Sequence, residues 1–261
     1  MGFLQRCWLL LPAILGLGLP LEPVQAQIVG EPLEYEISGK TYEGYVVRNL
    51  GFGDRQPLVL LIHDWDGLGD YEQRRAEMLA EQGYTTFAID LYGKDLRPKT
   101  VEESRAASGQ LYTDRPTLRR RLLGSLERGL QLPGIDPERV VAIGYCFGGA
   151  SVLELARSGA EVDGFVSFHG GLTTPANQDY KQVKGEILIL HGADDPVAPL
   201  SEVAALGEAL NAAAVPYNME LYGGVKHSFT VWGANRDSSR YDAQADQRSW
   251  QSLLHFLDRV Y

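Results

Sequence analysis

The chain has 261 residues, of which 44% are hydrophobic and 22% are charged, so it can fold around a continuous core and is neither disordered nor fibrous. Its formal net charge of -10 argues against nucleic acid as a partner, because such binding needs a concentrated positive surface. The run of basic residues at 119–121 lies in a helix-like stretch and is interpreted as a solvated helix face.

The first 26 residues have the regions of a secretory signal peptide. Arg6 provides the positive start, an apolar run covers Cys7 to Leu19, and the small-x-small pattern from Val24 to Ala26 precedes the cleavage point. A retained membrane anchor is the alternative, but prolines break the run, which is shorter than the ~20 residues of a spanning helix. We expect residues 27–261 to form a single exported domain, periplasmic or secreted, with no membrane anchor.

Cysteine usage points to a special role for one thiol. Removal of the signal peptide would take Cys7 away and leave Cys146 as the one cysteine of the mature chain. No intrachain disulfide is then possible. An exported protein exposes an unpaired thiol to oxidation, so Cys146 is expected either to be deeply buried or to have a chemical task.

The mature chain begins with an alternating stretch from Leu33 to Val47 around Ser38-Gly39-Lys40, which predicts a hairpin. Short apolar runs rich in branched residues then predict strands buried on both faces, at 58–62, 85–89, 140–143, 164–168 and 187–190, with a further strand at 217–222. Stretches with helical spacing separate them at 71–82, 115–130, 148–157, 201–214 and 242–260.

This alternation predicts an α/β fold with a mainly parallel sheet and helices on both faces. In such sheets, functional groups collect beyond the carboxyl ends of the strands. The polar stretch from Gly93 to Thr117 contains two prolines and is a candidate cover for that edge.

The strand at 140–143 is followed by Gly144-Tyr145-Cys146-Phe147-Gly148-Gly149 and then by a helical stretch. This is the G-x-nucleophile-x-G elbow, with cysteine where serine usually stands. The glycines permit a turn too sharp for a Cβ on either side. Such a turn would raise Cys146 above the sheet, at the positive end of the next helix, where a thiolate is favoured. A cysteine simply packed in a glycine-rich turn is the alternative.

Two further strand ends supply the partners of a nucleophile. Asp194 and Asp195 follow the run 187–190, and we prefer Asp195, directly before Pro196, as the carboxylate that orients a general base. His227 follows the strand at 217–222 in a loop that begins with glycine. The order nucleophile, acid, histidine is that of α/β-hydrolases. The sequence therefore predicts a Cys146-His227-Asp195 triad.

The remaining histidines carry no comparable pattern. His63, His169 and His191 each follow a strand and could line the site, but their spacing implies no partner, and His255 in the last helix is interpreted as structural. No His-x-x-x-His motif or carboxylate cluster has ligand spacing, so no metal is predicted.

With these motifs the chain resembles the dienelactone hydrolase family of cysteine α/β-hydrolases over residues 34–261. The shared motifs include His63-Asp64-Trp65-Asp66-Gly67, Asp90-Leu91-Tyr92-Gly93 and Val166-Ser167-Phe168-His169-Gly170-Gly171. The resemblance implies an α/β-hydrolase fold of about eight strands that cleaves a small-molecule ester or lactone without a cofactor.

The resemblance also implies roles for individual residues. Asp64 has the position of a carboxylate that helps to activate the thiol, where well-studied members have the longer glutamate. Those members hold the carboxylate of the substrate with two arginines, and this chain has Lys94 and Val231 at those positions. Lys94 is a candidate substrate-binding residue, and a solvated surface lysine is the alternative.

The hypothesis for the reaction is that His227 removes the thiol proton and Cys146 attacks the carbonyl carbon. Backbone N–H groups of Phe147 and Trp65 would then stabilise the oxyanion. Alternatives are a broad short-ester esterase or thioesterase on the same chemistry, and a periplasmic binding protein that keeps the fold without turnover.

Overall fold

The computed structural model describes Gly2 and residues 27–261. The predicted signal peptide therefore lies outside the described residues, apart from Gly2, and so does Cys7. The strands are β1 (Ile28–Ile37), β2 (Lys40–Asn49), β3 (Gln56–Ile62), β4 (Thr85–Ile89), β5 (Ile135–Tyr145), β6 (Gly164–Phe168), β7 (Glu186–Gly192) and β8 (Tyr217–Tyr222). The helices are α1 (Asp70–Glu81), α2 (Val101–Thr113), α3 (Arg115–Leu130), α4 (Phe147–Arg157), α5 (Leu200–Ala212) and α6 (Ala243–Val260).

The strands form one sheet in the order β1-β2-β4-β3-β5-β6-β7-β8. The predicted hairpin is confirmed, because β1 and β2 are antiparallel and are joined by Ser38 and Gly39, whose φ angles are 52° and 75°. Positive φ at both turn positions matches the right-handed twist of the strands. Strand β2 also runs antiparallel to β4, whereas the neighbours from β4 to β8 are parallel. The predicted mainly parallel, eight-stranded sheet is thus confirmed.

Helices cover both faces of the sheet. Along β3, Leu58, Leu60 and Ile62 face a core shared with α2, α3, α4 and α5. Val59 and Leu61 face a second core shared with α1 and α6. Because side chains alternate along a strand, a run that is apolar at every position suits a strand covered on both faces.

Helix α2 differs from the sequence prediction, which treated the stretch from Gly93 to Thr117 as a polar cover. Thr100 accepts from the N–H of Glu103, and the Glu103 carboxylate accepts from the N–H of Thr100. This reciprocal cap starts the helix. Ala107 and Leu111 then join the larger core. No helix among the described residues is both long and apolar enough to cross a membrane.

Candidate active site

Cys146 occupies the turn between β5 and α4. Its backbone has φ 51° and ψ -109°, a conformation that L-residues rarely adopt. The turn is held because the Cys146 N–H donates to the carbonyl of Phe168 at 3.0 Å and its carbonyl accepts from Ala150 at 3.1 Å. The side chain stands at the N-terminus of α4, as the elbow motif predicts.

Two glycines of the elbow have no room for a side chain. A Cβ on Gly144 would lie 2.3 Å from the backbone of Gly148, and a Cβ on Gly148 would lie 2.2 Å from the carbonyl oxygen of Ile62. Both contacts are with backbone atoms, which cannot move aside as a flexible side chain could. The motif is therefore a packing requirement of the strand-turn-helix crossing.

The three residues predicted from separate strand ends meet in space. His227 Nε2 lies 3.1 Å from Cys146 Sγ, and His227 Nδ1 donates to Asp195 Oδ2 at 2.7 Å. The second oxygen, Asp195 Oδ1, accepts from the N–H groups of Val197 at 2.7 Å and Ala198 at 3.1 Å. Both carboxylate oxygens of Asp195 are thus held by hydrogen bonds. The favoured tautomer of His227 carries its proton on Nδ1 and leaves Nε2 unprotonated.

The neighbouring carboxylate, Asp194, has no such position. Asp194 is exposed, whereas Asp195 is 3% exposed. Burial alone would raise the pKa of Asp195, but the hydrogen bond and charge interaction with His227 and the two N–H donors outweigh it and lower the pKa. Asp195 therefore stays ionised beside the imidazole.

The thiol itself is held in its neutral form at rest. Burial raises the pKa of Cys146 well above its ordinary value, and the Asp64 carboxylate raises it further through its charge and a hydrogen bond. The Phe147 N–H acts in the opposite direction. The N-terminus of α4 and the Phe147 N–H therefore do not lower the pKa of Cys146 enough to keep its side chain as a thiolate.

Asp64 reaches the Cys146 thiol although its side chain is one methylene shorter than glutamate. The carboxyl group is buried and interacts with the Cys146 thiol. Burial raises the pKa of Asp64 to about 6, with Asp66 adding to the shift and the Trp65 N–H opposing it. Asp64 can therefore exchange a proton near neutral pH.

Glu72 supports Asp64 from the first turn of α1 and was missed by the sequence reasoning. Its two carboxyl oxygens accept from the N–H groups of Asp64 at 3.2 Å and Gly69 at 2.9 Å. Burial, with a contribution from Asp66, raises the pKa of Glu72 to about 8. The available signal was its place three residues after Gly69, where a glutamate commonly reaches back to the start of a helix.

The two predicted oxyanion donors are arranged differently. The Phe147 N–H interacts with the Cys146 sulfur. The Trp65 N–H instead donates to Asp64 Oδ1 at 2.5 Å. The expectation that both N–H groups are free to bind an oxyanion is corrected here. The short side chain of Asp64 folds back onto the N–H of the next residue, Trp65.

Lys94 lies away from Cys146, which corrects its candidate role in substrate binding. Its ammonium group lies 2.5 Å from Glu34 and 3.9 Å from Glu43 on an exposed surface of the β1-β2 hairpin. The physical reason is that Gly93, with φ 109°, redirects the chain after β4, and the Lys94 N–H then binds the carbonyl of Thr41. Two nearby carboxylates attract the lysine to this surface.

A cavity of 280 Å³ adjoins Asp64 and is lined by Val231 and Arg97, among others. Arg97 is not a free cation, because it donates to Asp90 Oδ2 and to the Gly93 carbonyl, both at 3.0 Å. Val231 and Lys94 stand where well-studied family members have arginine. Val231 lines the cavity beside Asp64, whereas Lys94 does not.

A second cavity, of 350 Å³, begins beside Ala150 in the first turn of α4. Tyr112 from α2, Arg115 from α3 and Glu202 from α5 also line it. The sequence reasoning missed Tyr112 because it did not assign α2 as a helix, and it gave no role to Arg115 at the start of the predicted helix 115–130. The Tyr112 ring packs against Phe147, the residue after Cys146, with the ring centres 5.2 Å apart.

Three of the other histidines are buried near the site, each with a hydrogen-bond partner. His63 Nδ1 donates to the Asp64 carbonyl at 2.6 Å, His191 Nε2 donates to the Ala198 carbonyl at 2.8 Å, and His169 Nε2 lies 2.8 Å from Thr230 Oγ1. His255 is exposed on α6. Within residues 27–261, no three His, Cys, Asp or Glu side chains are grouped to hold a metal ion.

The raised pKa of Asp64 predicts a pH-dependent gain in stability for Asp64→Asn. Because its folded-state pKa of about 6 exceeds the ordinary 3.8, the folded protein binds more protons than the unfolded chain between these values. The parent therefore loses stability as pH rises through this window. We expect Asp64→Asn to be more stable than the parent at pH 8, by up to about 3 kcal/mol, and equally stable near pH 4.

Urea unfolding at the two pH values measures this difference. Asp54→Asn is a suitable control, because the Asp54 side chain is 90% exposed and its removal should leave the pH dependence unchanged. A parent and an Asp64→Asn variant with the same pH dependence would contradict the assignment of the buried carboxylate.

The mainly parallel sheet, its two helical layers and the strand-turn-helix elbow define an α/β-hydrolase. The model of the Dienelactone hydrolase family matches residues 42–261. The chain belongs to the dienelactone hydrolase family, and the predicted family resemblance is confirmed.

Individual proteins agree with this assignment. The chain is 23% identical over 244 residues to a carboxymethylenebutenolidase homolog of Rattus norvegicus, covering 88% of this chain and 95% of the relative. The solved structure of m3DLH is 30% identical, with a TM-score of 0.85 over 90% of this chain and 99% of that chain. P91, a dienelactone hydrolase-like promiscuous phosphotriesterase from metagenomic libraries, is 30% identical, with a TM-score of 0.84 over 89% of this chain and 98% of its own.

Proposed function

We propose that this protein cleaves a carboxylic ester or lactone, with Cys146 as nucleophile, His227 as general base and Asp195 as the residue that orients the base. The observation that carries the proposal is the unbroken series of contacts from Cys146 Sγ to His227 Nε2 at 3.1 Å and from His227 Nδ1 to Asp195 at 2.7 Å. A nucleophile, a base and an orienting group in series are what acyl transfer requires.

In the first step, His227 Nε2 accepts the proton of the neutral thiol while Sγ attacks the carbonyl carbon of the substrate. Asp195 stabilises the imidazolium that results. The π electrons of the carbonyl move to its oxygen, and the Phe147 N–H donates to the oxyanion.

In the second step, the tetrahedral intermediate collapses and the bond from the carbonyl carbon to the alcohol oxygen breaks. His227 returns its proton to that oxygen, and Cys146 keeps the acyl group as a thioester. With a lactone, the alcohol stays attached to the acyl chain. Water, deprotonated by His227, then attacks the thioester and releases the acid and the thiol.

A broad short-ester esterase is the second candidate. Val231 and the outward-facing Lys94 leave no pair of cations to hold a carboxylate-bearing substrate beside Asp64. A site without this clamp favours neutral short esters. A thioesterase would use the same residues. A binding protein without catalytic activity would not require the series of contacts from Cys146 through His227 to Asp195.

Hydrolysis of p-nitrophenyl acetate before and after alkylation with iodoacetamide tests the proposal. We expect turnover that is lost in proportion to labelling of Cys146, because the alkylated sulfur cannot attack. An alkylated protein with full activity, or an unmodified protein without any hydrolysis of esters, lactones or thioesters, would contradict the proposal.

We also propose export to the periplasm or medium, supported by the pattern of residues 1–26. Mass spectrometry of the protein from its native host is expected to find an amino terminus at or near Gln27. Membrane-bound material that keeps Met1 would replace export by anchoring and leave the proposed chemistry intact.

A further inference from the structure

Thr230 is a fully buried residue three positions after His227, in the loop between β8 and α6. Its hydroxyl oxygen lies 2.7 Å from the hydroxyl of Tyr71 on α1 and 2.8 Å from His169 Nε2, which follows β6. Its carbonyl accepts from Arg75 Nη2 at 2.8 Å. One loop residue therefore bonds to both α1 and the end of β6.

Arg75 is itself immobilised. It is 1% exposed, donates to Asp246 on α6 at 2.5 Å, and stacks on the Trp232 ring with its guanidinium carbon 4.4 Å from the ring centre. A guanidinium held by a carboxylate, a carbonyl and an aromatic face has little freedom. Thr230 is thus tied to a fixed point in the core.

The direction of the hydrogen bonds around Thr230 is assigned starting from Arg75. Arg75 Nε can only donate, and it lies 3.3 Å from the Tyr71 hydroxyl oxygen. Within residues 27–261, Thr230 Oγ1 is the remaining partner of the Tyr71 hydroxyl, so Tyr71 gives its hydrogen to Thr230. Thr230 then gives its own hydrogen to His169 Nε2, and the ring proton of His169 is on Nδ1, a buried atom that has no hydrogen-bond partner among the described residues.

His169 lies directly against the proposed base. Its ring centre is 5.2 Å from that of His227, with the planes at 69°. Burial, followed by the charges of His227 and His191, lowers the pKa of His169 well below its ordinary value. A neutral His169 adds no positive charge beside His227 when the latter takes the thiol proton.

We propose that Thr230 is a positioning residue, whose hydroxyl donates to His169 Nε2 and so holds the His169 ring, as the Nδ1–H tautomer, against the ring of His227. This inference rests on the proposed role of His227 as the base. His227 is then constrained on two sides, by the hydrogen bond from Nδ1 to Asp195 and by packing against the His169 ring. Thr230 itself touches neither substrate nor thiol.

Thr230→Val tests the role with little change in shape, because it replaces the hydroxyl by a methyl group. We expect kcat for p-nitrophenyl acetate to fall at least tenfold while KM stays within about twofold, since the base is displaced and the cavities are unchanged. Thr230→Ser keeps the donor and should restore kcat to within about threefold of the parent.

Thr85→Val is the matched control. Thr85 is fully buried and its hydroxyl donates to Gln56 at 3.1 Å, remote from the site. Both valine variants lose a buried hydrogen bond, so both should lose stability. We expect a lowered kcat in Thr230→Val alone, at a temperature where both variants are folded.

Nitrogen-15 NMR of the histidine rings gives a readout that a merely structural role would not move. His169 Nε2, assigned by its loss in His169→Asn, should have the shift of an unprotonated acceptor in the parent and in Thr230→Ser, and a different shift in Thr230→Val. A protonated Nε2 in the parent, or a parent-like kcat in Thr230→Val, would overturn the proposal. Failure of the proposed function would instead appear as an absence of thiol-dependent hydrolysis in every variant, with the tautomer pattern intact.

Discussion

Cys146→Ala is expected to fold like the parent and to lose at least about 10³-fold in kcat, because no other described group stands where the thiol meets His227. The elbow is held by the backbone N–H and carbonyl of Cys146, which the substitution keeps, so loss of the thiol should leave the turn intact. Circular dichroism and thermal unfolding check the fold, and p-nitrophenyl ester hydrolysis measures the rate.

Cys146→Ser is a sharper version of the same experiment. A serine hydroxyl is far less acidic than a thiol and needs stronger help from the base. The surroundings already oppose ionisation, because burial and Asp64 raise the pKa of the group at this position. We expect a variant that is weakened by about 10²-fold or more, not a rescued enzyme.

The control for both variants is covalent labelling. Iodoacetamide should modify Cys146 in the parent and leave both variants unmodified, since Cys146 is the one cysteine among residues 27–261. Full activity in Cys146→Ala would remove the thiol from the mechanism, whatever the labelling showed.

Much of the fold was predictable from local patterns. The runs of branched residues predict strands because a doubly covered sheet admits few polar side chains, and β3 is buried at all of its positions. The elbow was predictable for a similar reason, since Gly144 and Gly148 occupy places where a Cβ would meet backbone. Such requirements act at each residue and therefore leave a trace in the sequence.

Side-chain direction was less predictable. The family resemblance suggested that Lys94 faces the site. The turn at Gly93 and the carboxylates of the hairpin instead place its side chain on the surface. Likewise, the Trp65 N–H is at the expected position, yet Asp64 occupies it. These outcomes depend on local competition between polar groups, which motif spacing does not encode.

The supports of the site were the hardest part to foresee. Arg75 and Asp246 are 171 positions apart in the chain and meet only because α1 and α6 cover the same face of the sheet. Charged side chains are seldom fully buried, so nothing in the two helical patterns marks Arg75 and Asp246 as buried partners. The partners of Thr230 also come from distant segments, Tyr71 at 159 positions and His169 at 61 positions along the chain, so sequence spacing could not pair them.

The choice between two adjacent carboxylates leads to the second large effect. Asp195→Asn is expected to lower kcat by about 10²-fold or more, because an asparagine amide can donate to His227 Nδ1. The imidazole would then carry its proton on Nε2 and could not accept one from Cys146. The N–H groups of Val197 and Ala198 still find the amide oxygen, so the loop should remain folded.

Asp194→Asn removes the same charge one residue earlier and is the matched control. Asp194 is exposed, and its backbone N–H, which bonds to the Val225 carbonyl at 2.9 Å, is unaffected by the change. We expect kcat within about twofold of the parent, because only a distant charge is lost. Steady-state kinetics of both variants, with unfolding temperatures measured alongside, decides between them. A large loss in Asp194→Asn with a parent-like Asp195→Asn would transfer the orienting role to Asp194, and equal losses would point to the loop as a whole instead of a bond to His227.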